Sequence, residues 1–276
     1  MSSEPVALVT GATSGIGEAT AERLQAAGYR VFAVGRNPEA LQRLASRGLI
    51  ARALDVTDES AVGSLVAEIE ADHGAVDVLV NSAGFPLTCP LEQVPLTDLR
   101  HLFETNVVAA LHLSQAVLPA MRERGSGIIV NVGSTGGRFA SPGAGGYHVV
   151  KYGMEALSLS LRAEVAPFGI RVVLLDPTAV RTPFVTSQQE AQPVYAPDDP
   201  YGAFKRRYAD NTRRLSAKRG VMIEADVVAR AVLRAVRSKN PRPRYIVGAS
   251  GKATVLARAL LTDRMWERIV MRQLRD

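Results

Sequence analysis

The sequence predicts an α/β fold, a doubly wound parallel sheet covered by helices on both faces and followed by a C-terminal helical extension. Three observations carry this. Runs rich in Val, Ile and Leu recur with helix-forming stretches between them, the pattern of parallel strands buried on both sides. The first run, Val6-Ala7-Leu8-Val9, passes directly into the glycine-rich turn Thr10-Gly11-Ala12-Thr13-Ser14-Gly15-Ile16-Gly17 and then into Glu18-Ala19-Thr20-Ala21-Glu22. Further on, Tyr147 and Lys151 stand four residues apart, which in a helix places phenol and ammonium on one face.

Along the chain, strand one is expected near Val6–Thr10 and its helix over Gly15–Ala27. Glycines in the turn between them allow a backbone to approach a pyrophosphate, whose charge the first amides and the dipole of the helix favour. The spacing is Gly-x-x-x-Gly-x-Gly, not the commoner Gly-x-Gly-x-x-Gly. Arg30–Gly35 reads as strand two, Glu39–Ser46 as a helix, Leu49–Leu54 as strand three and Glu59 to about Asp72 as a helix. Asp77–Asn81 continues the sheet. Pro95-Leu96-Thr97 opens one long helix through Phe103, Asn106, Leu111 and Leu118, and Gly127–Val132 is strand five. The Tyr147 helix runs to about Val165, where Pro167 and Gly169 stop it, before strand six at Ile170–Asp176. Residues 183–220 break the alternation. Pro183, Pro193, Pro197 and Pro200, with aromatic residues among charges, read as a long mobile segment. Glu224–Ser238 is a further helix, Arg244–Val247 a last strand, and Ala253–Leu274 an amphipathic stretch.

At 276 residues, one domain spanning 1–276 with a substantial core is expected. A hydrophobic content of 47% with 22% charged residues is ordinary for a water-soluble chain. No apolar run reaches the roughly 18 residues that a spanning helix needs. Met1-Ser2-Ser3-Glu4-Pro5 lacks the basic and apolar regions of a secretory signal, so the cytoplasm is the expected address. The single cysteine, Cys89, rules out an intramolecular disulfide or a cysteine metal cluster. Net charge +6 hides a division: residues 1–200 carry 14 Lys+Arg against 21 Asp+Glu, and residues 201–276 carry 19 against 6. A basic tail suits an anionic partner or balances an acidic body. No nucleic-acid-binding motif accompanies it, so no nucleic acid partner is expected. The extension at about 252–276 is read as a helix packed on the domain or on a second subunit, with contact at a membrane surface as the alternative.

A phenol titrates near pH ~10, and a neighbouring cation lowers that value, making Tyr147 usable as an acid or base. Alone, the Tyr147/Lys151 spacing fits two unrelated residues on a helix face. The glycine turn supplies an independent half of the same machine. Asn81-Ser82-Ala83-Gly84 after strand four, Asn106, Ser134, the Tyr147/Lys151 pair, and Pro177 with Thr182 follow it in order. In this series the sequence resembles the short-chain dehydrogenase/reductase family, and Lys239-Asn240-Pro241-Arg242-Pro243-Arg244-Tyr245-Ile246-Val247-Gly248 looks like its branch related to 17β-hydroxysteroid dehydrogenases.

The resemblance implies a Rossmann-type fold and hydride transfer between a nicotinamide cofactor and a small carbonyl or alcohol substrate, hydrophobic and steroid-, retinoid- or acyl-like. It implies that Tyr147 carries the proton, that Lys151 lowers its pKa and binds the nicotinamide ribose, and that Ser134 donates to the substrate oxygen. Asn106 would hold a water linking Lys151 to solvent. For the cofactor it implies Gly11, Thr13, Ser14, Gly15, Ile16 and Gly17 at the pyrophosphate, with Asp55 and Val56 at the adenine. Asn81, Ala83 and Gly84 would lie along the ribose and nicotinamide, and Pro177, Val180 and Thr182 would cap the carboxamide. Thr178 and Val150 depart from the family's usual glycine and serine. Segment 183–220 would cover substrate, and a homo-oligomer would form through the helices of Asn106 and Tyr147. Val34-Gly35-Arg36-Asn37 ends strand two without the carboxylate that selects NAD(H), and Arg36 suits a 2′-phosphate, so NADP(H) is expected over NAD(H). A cofactor-binding sensor or scaffold is the rival reading, and the intact Asn106, Ser134, Tyr147 and Lys151 favour the enzyme. Ser134 lacks the nucleophile-elbow context of a serine hydrolase.

Overall fold

The computed structural model describes residues 4–184, 198–218 and 220–272. Strand direction and side-chain alternation set its layers. Seven strands are all parallel: β1 (Val6–Thr10), β2 (Arg30–Gly35), β3 (Ile50–Ala53), β4 (Val78–Asn81), β5 (Gly127–Val132), β6 (Ile170–Pro177) and β9 (Arg244–Val247), in the order β3-β2-β1-β4-β5-β6-β9. In β1, Leu8 stands opposite Phe32 of β2 on one side and Leu79 of β4 on the other. The order reverses between β1 and β4, and a doubly wound sheet opens a crevice at that point.

Alternate residues feed two cores. Ala7 and Val9 pack with α1 (Gly15–Ala26), α2 (Pro38–Ser46) and α8 (Ala225–Arg237), contributing among others Leu24, Leu44 and Val232. Val6 and Leu8 face the opposite way, onto α3 (Glu59–His73), α5 (Ala109–Arg124) and α6 (Gly145–Val165), meeting Val62, Leu113 and Leu161. This period of two on strands sandwiched between helices explains why the sequence shows nearly continuous apolar runs. Asn37 caps α2, accepting the Ala40 N–H at 2.9 Å, and Asp58 caps α3 by accepting the Ala61 N–H at 2.9 Å.

Three expectations are corrected. The long helix from Pro95 is broken into α4 (Leu96–Phe103), a π-helical turn at Glu104–Val108 and α5. Asn106 sits in that turn, and its amide donates to Leu102 O at 3.0 Å. Such bulges widen the helix by one residue and mark functional positions, and local composition gives no sign of them. Segment 183–220 is not unstructured throughout, because α7 (Gly202–Ala217) occupies much of it. Its prolines end at Pro200, and α7 is fastened at its start. Asp199 pairs with Lys205 at 2.6 Å and accepts from Gln93 at 2.9 Å, while Tyr201 bonds Glu92. Phe204 and Tyr208 close over Gly143, where an added Cβ would meet them at 3.1 and 3.0 Å. Residues 185–197 of that segment, with Tyr195, lie outside the described residues. The C-terminal stretch forms two helices, α9 (Ala249–Leu260) and α10 (Asp263–Arg272), because Thr262 starts a new one, its hydroxyl accepting the Met265 N–H at 3.4 Å. A small parallel pair, β7 (Val180–Arg181) and β8 (Ile223–Glu224), was not foreseen. Among the described residues no helix is long and apolar enough to cross a membrane.

Candidate active site

The carboxyl ends of β1, β2, β4, β5 and β6 surround a cleft of about 500 Å³. The glycine turn forms its floor. Gly15 has φ +56°, and a Cβ there would lie 2.9 Å from the Thr182 methyl carbon; at Gly17 it would lie 2.2 Å from Gly11 O. Only glycine lets the turn close this tightly. Thr10 ties this turn to the neighbouring loop: its hydroxyl accepts the Ser82 and Ala83 N–H groups at 3.0 and 3.1 Å. Sequence reasoning missed Thr10, whose signal is a hydroxyl at the end of a fully buried strand.

Most of the expected residues converge on the cleft. Gly11, Thr13, Ser14, Ile16, Arg36, Asp55 and Val56 line one end, while Ala83, Gly84, Ser134, Tyr147, Lys151, Pro177, Val180 and Thr182 line the other. The Asp55 carboxylate accepts the Thr57 N–H at 3.0 Å and the Thr57 hydroxyl at 2.8 Å, bonds that hold it below the usual carboxylate range. Arg36 approaches Asp55 at 3.5 Å. At Gly35 a Cβ would lie 2.6 Å from the Thr13 methyl carbon, so Thr13 fills the space beside the end of β2. Asn81 departs from expectation. Its amide points behind the cleft, donating to Asn131 Oδ1 at 2.9 Å and to Ala110 O at 3.3 Å, because a buried amide must find partners in the core. Asn106 Oδ1, Asn81 Oδ1 and Thr105 Oγ1 have no hydrogen-bond partner among the described residues and belong to residues lining a cavity of about 10 Å³ next to the cleft, room for at most one water.

Tyr147 and Lys151 descend from the first two turns of α6 onto the end of β5. Ser134 hydrogen-bonds the Tyr147 hydroxyl and accepts the Gly136 N–H at 3.0 Å. Lys151 is 7% exposed; its ammonium donates to Val132 O at 3.3 Å and stands 5.6 Å from the centre of the Tyr147 ring. Tyr147 is half-buried and borders the cleft. The expected lowering of the Tyr147 pKa is not what the site does. Burial pushes it up to about 12, against the Ser134 hydrogen bond and with help from the Asp176 charge. Burial also brings Lys151 down to about 8, against Asp176. In both residues desolvation is the largest effect.

His148 turns away from the cleft. Its Nε2 accepts the Ser141 N–H at 3.1 Å, which leaves the proton on Nδ1 to be donated to Gly136 O at 2.7 Å. It thus clamps the segment that presents Ser134. Thr178, the departure from the usual glycine, is unstrained, since no residue other than glycine has a positive φ among the described residues. Its hydroxyl is 3.0 Å from Ser250 Oγ, and its methyl fits against Gly248, where a Cβ would lie 2.3 Å away. The extra side chain therefore joins β6 to α9.

A glycine-cradled cleft with a serine, a tyrosine and a lysine at one end, above a reversed parallel sheet, defines a dinucleotide-dependent oxidoreductase. Residues 5–193 match the family described as short chain dehydrogenase, and the chain belongs to that family. It is similar over nearly all its length to Oxidoreductase BOA17 of Botryotinia fuckeliana (strain B05.10), at 33% identity over 95% of this chain and 96% of the relative. Among solved structures, a short-chain dehydrogenase from Streptomyces avermitilis superposes with TM-score 0.80 at 35% identity, covering 98% of each chain. The actinorhodin polyketide ketoreductase, crystallised with NADPH, superposes with TM-score 0.77 at 33% identity, covering 91% of this chain and 99% of its own. The chain is an enzyme acting on CH–OH groups.

The clamp predicts a pH signature. Burial holds the His148 pKa below its ordinary value, so His148 favours the fold as the neutral ring. That contribution is complete above the unfolded pKa of about 6.5 and is lost as pH falls through the lower folded value. His148→Leu should lower stability by about 1–3 kcal/mol at pH 8, the range for leaving hydrogen-bonding groups unpaired. The gap in Tm between parent and variant, measured by calorimetry, should narrow from pH 7 to pH 5.

Proposed function

We propose that this chain is an NADP(H)-dependent oxidoreductase that interconverts a ketone or aldehyde and its alcohol, with Tyr147 carrying the proton. The convergence of Ser134, Tyr147 and Lys151 at one end of the cleft carries this reading. The residues present fit a dinucleotide: Gly11, Gly15 and Gly17 close the turn where a Cβ would strike Ser82, Thr182 or Gly11 itself, and that tight turn lines the cleft. Gly11, Thr13, Ser14, Gly15, Ile16 and Gly17 would hold the pyrophosphate, Asp55 and Val56 the adenine, and Ala83, Gly84, Pro177, Val180 and Thr182 the nicotinamide end. When bound, the cofactor supplies or accepts the hydride.

In the reducing direction Ser134 hydrogen-bonds the substrate oxygen and fixes it next to the Tyr147 hydroxyl. Tyr147 gives its proton to that oxygen as the carbonyl becomes an alkoxide, and the charge moves to the phenol oxygen. The Lys151 ammonium stabilises the resulting phenolate; in the oxidising direction the same atoms run in reverse. A group whose pKa is raised to about 12 is held in the acid form that reduction requires. Lys151 then passes a proton to the phenolate, and Asn106, which lines the small cavity next to the cleft, would hold a water through which Lys151 regains one. Arg36 and the lack of a carboxylate at Gly35 support NADP(H) over NAD(H). So does the NADPH bound to the similar ketoreductase.

Phe85, Phe184 and Tyr147 border the cleft, with Phe184 5.9 Å from Tyr147 between ring centres. These surfaces, and the resemblance of 239–248 to the 17β-hydroxysteroid dehydrogenase branch, support an apolar substrate, steroid-, retinoid- or acyl-like. We read residues 1–276 as one catalytic unit working in the cytoplasm as a homo-oligomer. Phe103 and Leu111 on the helices flanking Asn106, and Val149, Tyr152 and Leu159 on α6, are exposed and apolar, which supports pairing through them.

Tyr147→Phe should lower turnover by about 10²–10⁴-fold on any ketone the parent reduces, while leaving the NADPH Kd within about threefold. Retained turnover would overturn the assignment. Arg36→Ala should raise the NADPH Kd about 10–100-fold, the worth of one charged hydrogen-bonding partner, and leave NADH binding nearly unchanged by fluorescence titration. Light scattering at micromolar concentration should give a dimer or tetramer, and Tyr152→Glu combined with Val149→Glu should give a monomer.

A further inference from the structure

Asp176 is the penultimate residue of β6, before Pro177, is 2% exposed, and has no part in the mechanism above. It shares a face of β6 with Leu174, which packs on Met154 of α6, so its carboxylate is directed to the catalytic helix. The carboxylate fills the space beside Gly133, where an added Cβ would come within 2.4 Å of Oδ1. Among the described residues four charged groups act on it: Arg244 from β9, Glu155 and Lys151 from α6, and Arg138 from the segment after β5. Arg244 Nε lies 3.1 Å from Asp176 Oδ2, an ion pair whose atoms are not aligned for a hydrogen bond. Arg244 also reaches Glu155, which pairs with Arg138 at 2.5 Å. Those outer three groups sum to one positive charge, and on the inner side stands the Lys151 ammonium. A buried ammonium is costly without an anion; Lys151 donates to Val132 O at 3.3 Å, and the Asp176 carboxylate packs against the next residue, Gly133, so both charges border one peptide and act on each other.

We propose that Asp176 is a positioning residue for the Tyr147/Lys151 pair: its buried carboxylate, held in place by Arg244, is the counter-charge that keeps Lys151 protonated beside Tyr147. The inference rests on the reading of that pair given above. A negative charge at this point favours the protonated form of both neighbours. Asp176 therefore retains the proton on Tyr147 and the charge on Lys151, the two conditions that reduction needs. Its own carboxyl is pushed up to about 7, mainly by burial and against the pull of Arg244.

The protein has five lysines, so lysine labelled with ¹³C at Cε gives a spectrum in which Lys151 is assigned by its disappearance in Lys151→Arg. This readout needs neither substrate nor cofactor. In the parent, Lys151 should titrate at about 8 and sense a second step at about 7. In Asp176→Asn the lower step should vanish and the Lys151 midpoint should fall by about one pH unit or more, a tenfold loss of proton affinity. If Asp176→Asn does not fold, Lys151→Met tests the same coupling from the other side. Coupling is reciprocal, so the Asp176 carboxyl, read by ¹³C NMR, should then rise above its parent midpoint by a similar amount. A midpoint unmoved in the variant that folds would overturn the inference. Turnover retained in Tyr147→Phe would instead remove the catalytic reading. An inactive Tyr147→Phe with an unmoved midpoint removes only the role of Asp176.

Discussion

Lys151 carries its ammonium into a corner that water scarcely reaches, where the helix α6 crosses the ends of β5 and β6. An ion in such a place is held by fixed partners, because solvent cannot rearrange around it. The carbonyl of Val132 takes one of its protons, and the neighbouring strand brings an acid to within its field. The strand beyond supplies an arginine to that acid. The chain therefore needs β9 beside β6, and α6 pressed against both, for the cleft to have its electrostatic character. The C-terminal quarter of the sequence, which carries most of the positive charge, takes part in the site through Arg244 even though that residue lines no part of the cleft.

Much of this could be read from the sequence because it follows local rules. Val6–Thr10, Arg30–Gly35 and Gly127–Val132 were bounded correctly by glycine and by apolar continuity, and the end of α6 by Pro167 and Gly169. What could not be read depends on tertiary surroundings. The π-helical turn at Asn106 leaves no mark in composition. The direction of the Asn81 amide is fixed by Asn131 and Ala110, which lie far along the chain. The Tyr147 phenol was expected to lose its proton easily because the sequence names the nearby cation. The degree of burial, which reverses the sign of the shift, is a property of the folded chain. Asp176 is legible only as the last acidic residue of a strand until the partners on three other segments are placed around it.

The segment after β6 shows how a departure from a family pattern can be absorbed. Thr178 brings a methyl and a hydroxyl into a place where glycine usually leaves room, and the structure accepts both without a left-handed backbone. Gly248 provides the space and Ser250 the polar partner. The result is a direct link between the cleft wall and α9, so the helical extension is part of the framework on which Pro177 and Val180 are mounted. Phe139 extends this on the other side, with its ring 5.6 Å from Trp266 of α10 and 5.8 Å from His148.

The contact between Thr13 and Gly35 has a consequence for how this cleft could change over evolutionary time. An acidic residue at position 35, the substitution that favours NAD(H), brings its Cβ to within 2.6 Å of the Thr13 methyl carbon. Introduced first, it would disturb the turn that every dinucleotide must rest on, and the intermediate sequence would hold neither cofactor well. Introduced after Thr13 has become alanine, it is free of the Thr13 methyl and hydroxyl, the two atoms nearest to that Cβ. The two changes are accessible in one order and blocked in the other, so a history of cofactor exchange in sequences like this one would be directional, with the residue in the turn changing before the residue at the end of the strand.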